Sequence, residues 1–228
     1  MCNLERLRSG PAEIRQHFAV TRELDFTGNM GPVDKYPRRS GPIIRLNEDG
    51  KREMRMLEWG HPYHKMEKGE DGKRRLALKK NGEPYAPTPT TNIRHPHYPM
   101  FRDYLAPEYR CLVPSNLFAE PNPAAKKDKS ADRNIWFALG QDCPLYAFAG
   151  IWRPWEGDWL KDRDAPSSEV YAFLTTEPNA LVEPIHPKAM PVILHKDDHE
   201  AWLTADWSDA KTLQKPFPAE AMVIVADS

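Results

Sequence analysis

Four short runs decide the fold: Tyr109-Arg-Cys-Leu-Val113, Ile135-Trp-Phe-Ala-Leu139, Leu145-Tyr-Ala-Phe-Ala-Gly-Ile151 and Val170-Tyr-Ala-Phe-Leu-Thr175. Each is almost continuously apolar, rich in aromatic and β-branched residues, and bounded by Pro, Gly, Asp or Asn, which is the pattern of strands buried on both faces. Upstream, Pro42-Ile-Ile-Arg45 and Glu53-Met-Arg-Met-Leu-Glu-Trp59 read as two more strands, joined by a hairpin at Asn47-Glu-Asp-Gly-Lys51 with Asp49-Gly50 as its turn signal. Ser9 to Phe18 suits a short amphipathic helix, because Ile14 and Phe18 are four apart behind a Ser/Pro start. A second helix is expected around Lys196 to Thr204, anchored by Trp202 and Leu203, and Ala221-Met-Val-Ile-Val225 reads as a closing strand. Most strands lie too close together for helical crossovers. The expected fold is therefore α+β: a single domain over residues 1–228 with a curved, mostly antiparallel, barrel-like β-sheet flanked by short helices. Residues 64–90, dense in Lys, Arg, Glu, Gly and Pro, read as a charged surface insertion.

Composition narrows the class. Of 228 residues 40% are hydrophobic, enough for a core and too many for a disordered chain, while 23 prolines argue against a bundle of long helices. No stretch of 18 apolar residues occurs, and Glu5, Arg6 and Arg8 stand where a signal peptide needs its apolar stretch. The expected location is the cytoplasm of a bacterium. Three cysteines at positions 2, 111 and 143 form no disulfide framework and no zinc knuckle. The net charge of -1 hides an asymmetry: residues 1–155 carry 26 basic and 19 acidic side chains, and the remainder 6 and 14. The basic part is the one in which chemistry is expected. The His61-Pro-Tyr-His64 and His95-Pro-His97 pairs lack the spacing and companions of a metal site, so no metal and no cofactor are expected.

Cys2 carries a chemistry open to no internal cysteine. Removal of Met1 leaves a 1,2-aminothiol, whose amine near pKa ~7.8 and thiol near ~8.5 are each partly nucleophilic at neutral pH. Amine and thiolate can attack one aldehyde carbon in turn, through a Schiff base, to close a five-membered thiazolidine.

Met1-Cys-Asn-Leu4, Met56-Leu-Glu-Trp-Gly60, Thr91-Asn-Ile-Arg94, the run Arg110-Cys-Leu-Val-Pro-Ser-Asn-Leu-Phe-Ala-Glu120, Phe148-Ala-Gly-Ile-Trp152, Phe173-Leu-Thr-Thr-Glu-Pro-Asn-Ala180 and Pro184-Ile-His-Pro-Lys-Ala-Met-Pro-Val-Ile193 follow one another in fixed order. Together they resemble the SRAP family, the SOS response-associated peptidases or abasic-site-processing proteins. The resemblance implies an autopeptidase that loses its first methionine. It further implies a cross-link, by Schiff-base and lyase-like chemistry, to the ring-opened sugar of an abasic site in single-stranded DNA. It gives Cys2 the role of nucleophile, Asn92 that of the asparagine beside the terminus, Glu120 that of the catalytic glutamate, His186 that of the histidine and Arg94 that of a phosphate-binding arginine. Opening the sugar ring and dehydrating a carbinolamine both need proton transfers, for which a buried Glu and a His are suited. The glutamate block departs from the commoner family pattern in reading Phe-Ala-Glu-Pro-Asn, and His-Pro-His follows Arg94 in place of an acidic pair.

Other readings stand beside these roles: a loop acid for Glu120, a satisfied buried histidine for His186, a turn residue for Asn92 and a surface ion-pair partner for Arg94. Arg38 and Arg39 are candidate phosphate contacts or a solvated pair. Trp59 and Trp152 are candidate base-stacking rings or core residues. The expected partner is single-stranded DNA with abasic sites, engaged by a monomer without a membrane. The alternatives are a non-covalent single-strand binding module and a peptidase acting in trans.

Overall fold

The computed structural model describes residues 3–23, 33–155 and 169–226, so Cys2 lies outside the described residues. The first half of the chain contributes β1 (Glu5–Leu7), α1 (Pro11–Phe18), β2 (Arg22–Glu23), β3 (Val33–Lys35), β4 (Ser40–Leu46), β5 (Arg52–Trp59), β6 (His61–Tyr63), β7 (Met66–Lys68), β8 (Arg74–Leu76), β9 (Thr88–Thr90) and β10 (Asn92–Ile93). The second half contributes β11 (Arg110–Ser115), β12 (Leu117–Pro121), β13 (Asn134–Ala138), β14 (Tyr146–Pro154), β15 (Glu169–Thr176), β16 (Met190–Pro191), β17 (Ile193–Leu194), α2 (His199–Thr204), α3 (Trp207–Ala210) and β18 (Val223–Val225).

Five strands close into a barrel. β15 pairs with β14, β14 with β11, β11 with β4 and β4 with β5, all antiparallel, and β5 returns to β15 in a parallel ladder that sets Glu58 beside Val170 and Trp59 beside Tyr171. Closure removes the exposed edges that an open sheet would carry. A second, antiparallel sheet in the order β18-β13-β12-β1-β3 lies alongside. The α+β, barrel-like expectation holds, with three parallel ladders, β2–β5, β5–β15 and β10–β15, inside the mostly antiparallel pattern.

The apolar runs are buried on both faces because their alternation feeds two cores. Ile43, Cys111, Val113, Phe148, Tyr171 and Phe173 join one cluster. Their neighbours Ile44, Leu112, Ala149, Ala172 and Leu174 join another with Ile14, Phe18, Trp202 and Leu203 from the helices. Gly150 is required where β14 crosses β11, since a Cβ there would stand 2.7 Å from both Cys111 Sγ and Val113 Cγ2. In α1, Pro11 opens the helix and Ala19 ends it at φ 51. In the β4–β5 hairpin, Asn47 Oδ1 accepts from the Asp49 and Lys51 amides, and Gly50 takes φ 71.

Residues 64–90 hold more order than an irregular insertion. β6 pairs with β9 from His61 opposite Thr90, β7 pairs with β8, and Leu78 bridges to Pro84. β7 and β8 of this ribbon bury nothing, while β6 buries His61 at its base; the turns are set by Gly72 at φ 76 and Gly82 at φ 82. Several strands fall where none was expected, β1, β3 and β12 of the second sheet among them. β1 contains a buried ion pair: Lys35 Nζ lies 2.9 Å from Glu5 Oε1 and donates to the Pro114 carbonyl at 2.9 Å, with both side chains sealed from solvent. Gly41 makes the room, because a Cβ there would meet the Tyr171 hydroxyl at 2.7 Å and Lys35 Cδ at 3.0 Å. Among the described residues no helix is long and apolar enough to cross a membrane.

Candidate functional site

The described chain begins where β1 meets β12. The Ala119 amide donates to the Leu4 carbonyl at 2.9 Å, and Glu5 pairs with Phe118 in an antiparallel register. Extending that register by two residues sets Asn3 across from Glu120. Asn3 is also tied on its other side: Thr91 Oγ1 donates to Asn3 Oδ1 at 3.0 Å and accepts from Asn92 Nδ2 at 2.8 Å. Asn92 is buried at the start of β10, parallel to β15 and opposite Phe173. The site thus gathers Asn92 and Glu120 around the residue that follows Cys2.

Glu120 is a strand residue, which corrects the loop reading; it pairs with Ile135 on β13 and is fully buried. Burial pushes its carboxyl up to about 7, so near neutral pH it is shared between acid and carboxylate, the condition for moving protons in both directions. His186 lies in the turn after β15, where its Nδ1 is 2.6 Å from the Ala189 carbonyl. A carbonyl can only accept, so Nδ1 carries the proton and Nε2 is the basic atom of the neutral ring. Burial lowers the His186 pKa from its usual range, which favours that neutral form. Val182 and Ile185 of the same turn pack in the cluster that holds Phe118 and Ile135, the neighbours of Glu120 along and across its strands.

The basic candidates surround this end of the barrel. Arg94 follows β10 and its Nη2 is 3.3 Å from Glu177, the arginine side chain being partly buried and the glutamate exposed. Gln214 fixes the backbone there by donating to the carbonyls of Arg94 at 3.1 Å and Thr175 at 2.9 Å. Arg38 and Arg39 are exposed on the turn into β4, whose backbone is held by Arg38 N to Trp59 O at 2.8 Å and Trp59 N to Arg39 O at 3.0 Å; Arg38 adopts φ 66. The expectation that Trp59 contacts DNA is corrected. Its ring is fully buried against Phe173, with centroids 5.1 Å apart, and its Nε1 donates to the Thr91 carbonyl at 3.0 Å. Trp59 supports the Thr91-Asn92 corner and offers no face to a base. Trp152 lies elsewhere, under the Arg45 guanidinium at 3.9 Å. Cys111 and Cys143 are buried, and burial pushes the Cys111 thiol up, which makes it inert as a nucleophile. Asn3, Thr91 and Gln214 were not singled out in the sequence. Asn3 and Thr91 do flank Cys2 and Asn92 in the blocks quoted above, but their roles depend on a contact across 88 positions.

Comparison with known proteins gives the chain its family. A family model described as SOS response associated peptidase (SRAP) matches residues 1–226. The chain is 32% identical over 130 residues to the abasic site processing protein YoqW of Bacillus subtilis (54% of this chain, 52% of that protein). It is 30% identical over 127 residues to the abasic site processing protein YoaM of the same organism (54% and 51%). The match spans about half the length of these curated relatives. Among solved structures, a protein from Bordetella bronchiseptica has a similar fold with a TM-score of 0.67 at 22% identity over the whole of both chains. One from Bacteroides thetaiotaomicron gives 0.68 at 20% identity, covering 99% of this chain and 93% of the other.

Proposed function

Because the chain belongs to the SRAP family, we propose that it processes abasic sites in single-stranded DNA by forming a covalent thiazolidine through Cys2 once Met1 has been removed. The observation that carries this reading is the buried Glu120, its carboxyl pushed up to about 7, across the register from the residue next to Cys2 and on the same corner as Asn92.

The steps balance as follows. His186 Nε2 takes the proton of the sugar's C1 hydroxyl as the ring C–O bond breaks, leaving the open aldehyde and returning that proton to the ring oxygen. The terminal amine adds to the aldehyde carbon. Glu120, protonated, gives its proton to the departing hydroxyl, one water leaves, and a Schiff base remains. The Cys2 thiol returns a proton to the Glu120 carboxylate and adds as thiolate to the same carbon; the Schiff-base nitrogen, which kept one proton when water left, becomes the ring N–H, and the thiazolidine is closed. Asn92 holds the amine without competing for its proton. Arg94, Arg38 and Arg39 neutralise neighbouring phosphates. Removal of Met1 requires hydrolysis of one peptide bond, a reaction to which we assign the same Glu120 as proton carrier.

An oligonucleotide carrying one abasic site tests this on a denaturing gel. The expected result is a retarded band without added borohydride, its mass mapping to Cys2, abolished by Cys2→Ala and slowed about 10²-fold or more by Glu120→Gln. A band that survives Cys2→Ala, or a purified protein whose intact mass retains Met1 yet still forms the adduct, overturns the proposal. Binding of intact strands without any covalent product returns the reading to a single-strand binding module.

A further inference from the structure

Six of the nine large apolar side chains that stand exposed among the described residues fall between positions 63 and 98. They are concentrated in a stretch with nine basic and four acidic residues over 61–102. Tyr63 (42% exposed), Met66 (41%) and Tyr98 (47%) line one cleft of about 680 Å³ between the ribbon and the segment after Arg94. His64, Lys65 and Arg74 complete its polar lining, and among the described residues no carboxylate lines it. Tyr98 is held in a small ring stack: the His95 ring lies over it at 5.0 Å with an interplanar angle of 29°, and His97 meets it edge-on at 5.0 Å. Lys65 is itself braced, its Nζ 4.7 Å above the Tyr85 ring.

Both walls of this cleft grow from the site. β6 starts two residues beyond Trp59, whose indole is bonded to Thr91, and the Tyr98 segment starts from Arg94, two residues beyond Asn92. Fixed aromatic faces between cations, with no acid, suit an unpaired nucleobase and its phosphates. A protein partner of the ordinary kind is disfavoured, because protein interfaces are depleted in Lys at the core. We propose that the cleft between the ribbon and residues 95–100 is a stacking subsite for an unpaired base further along the same strand, beyond the nucleotides next to the trapped sugar. Tyr63 and Tyr98 supply the ring faces, and Lys65 and Arg74 receive the phosphates. The inference rests on the proposed function for its strand, and it assigns the 61–90 ribbon a part in binding.

The test uses the full-length protein with a fluorescent 15-mer of dT, and separately with abasic 15-mers and an abasic trimer. Tyr63→Ala and Tyr98→Ala each weaken dT binding about 10-fold, while Tyr98→Phe keeps wild-type affinity. Lys65→Met with Arg74→Gln lowers the slope of log affinity against log salt by about 2. Adduct formation on the abasic trimer, too short to reach the cleft, proceeds at the wild-type rate in all these variants. Unchanged dT affinity in both tyrosine variants, with folding confirmed by an unaltered melting curve, overturns the subsite and leaves the cleft to a protein partner. An equal loss for a blunt duplex also overturns it, since a paired base has no free face to stack. Absence of any adduct on any abasic strand, with the tyrosine effects intact, sinks the covalent reading instead and leaves the subsite standing.

Discussion

The barrel and the ribbon are built from the same element, the β-strand pair, under opposite rules. In the barrel, β14 and β15 bury both faces, and in the sheet alongside it even titratable groups such as Glu5, Lys35 and Glu120 are sealed from solvent. In the ribbon, β7 and β8 are exposed along their whole length and are held by main-chain pairing and glycine turns. The difference teaches where each kind of task can be placed. Proton transfer needs a group whose pKa is moved by burial, as packing does for Glu120; contact with a long polymer needs reachable rings and cations, which the ribbon adds to Arg38, Arg39 and Arg94.

The contrast can be broken at several points. The largest effect is expected from truncation at the barrel centre: Phe173→Ala costs about 3–5 kcal/mol, whereas Leu78→Ala on the ribbon stays within about 0.5 kcal/mol; urea denaturation of the two variants measures the gap. The buried ion pair comes next. Lys35→Met strands the Glu5 carboxyl in the interior and costs about 3–5 kcal/mol, and the double change Glu5→Leu with Lys35→Met recovers most of that, since a buried pair is often replaceable by apolar packing. A double variant no more stable than Lys35→Met alone would assign the pair a role beyond charge compensation.

A pH series sharpens the comparison further. Glu120 has its folded pKa raised from 4.5 to about 7, so the folded state holds a proton that the unfolded chain has released, and its contribution falls as pH rises between 4.5 and 7. Buried His61 and His199 have folded values lowered to about 3 and about 4, so their contributions fall in the other direction, as pH drops below 6.5. The slopes oppose each other in the wild type. Glu120→Gln removes one of them, and its stability relative to wild type should rise by up to about 3 kcal/mol from pH 4.5 to pH 8; a pH-independent difference would show that Glu120 titrates normally. The smallest effect is at the rim: Arg94→Ala breaks an exposed pair and changes stability by no more than about 0.5 kcal/mol, while the salt dependence of DNA binding loses about one unit of slope.

Legibility in the sequence followed the same division. Runs such as Leu145 to Ile151 and Val170 to Thr175 were readable because both faces are apolar, and their strands extend only a few residues beyond the expected ends. β1 was not, because Glu-Arg-Leu becomes a buried strand only through Lys35, thirty positions away. β12 was hidden for a related reason: Glu120 and Pro121 resemble a loop until β13 covers them. The ribbon carries no apolar period, and its signals were the dipeptides Asp71-Gly72 and Asn81-Gly82, which mark hairpin turns. In the site, the resemblance gave Asn92, Glu120 and His186 their roles, but nothing local distinguishes Trp59, a buried prop, from a ring that meets DNA. That distinction depends on Phe173 and Thr91, which reach it only in the folded chain.

The pairing of His61 with Thr90 has one more consequence. The ribbon leaves and re-enters the barrel through a single doorway, so its length and its rings can be exchanged, cropped to a tight turn or grafted from a relative while the walls of the room stay as they are. Diversification of strand preference can therefore proceed there by insertion and deletion, at a tempo that the barrel's interlocked side chains do not permit.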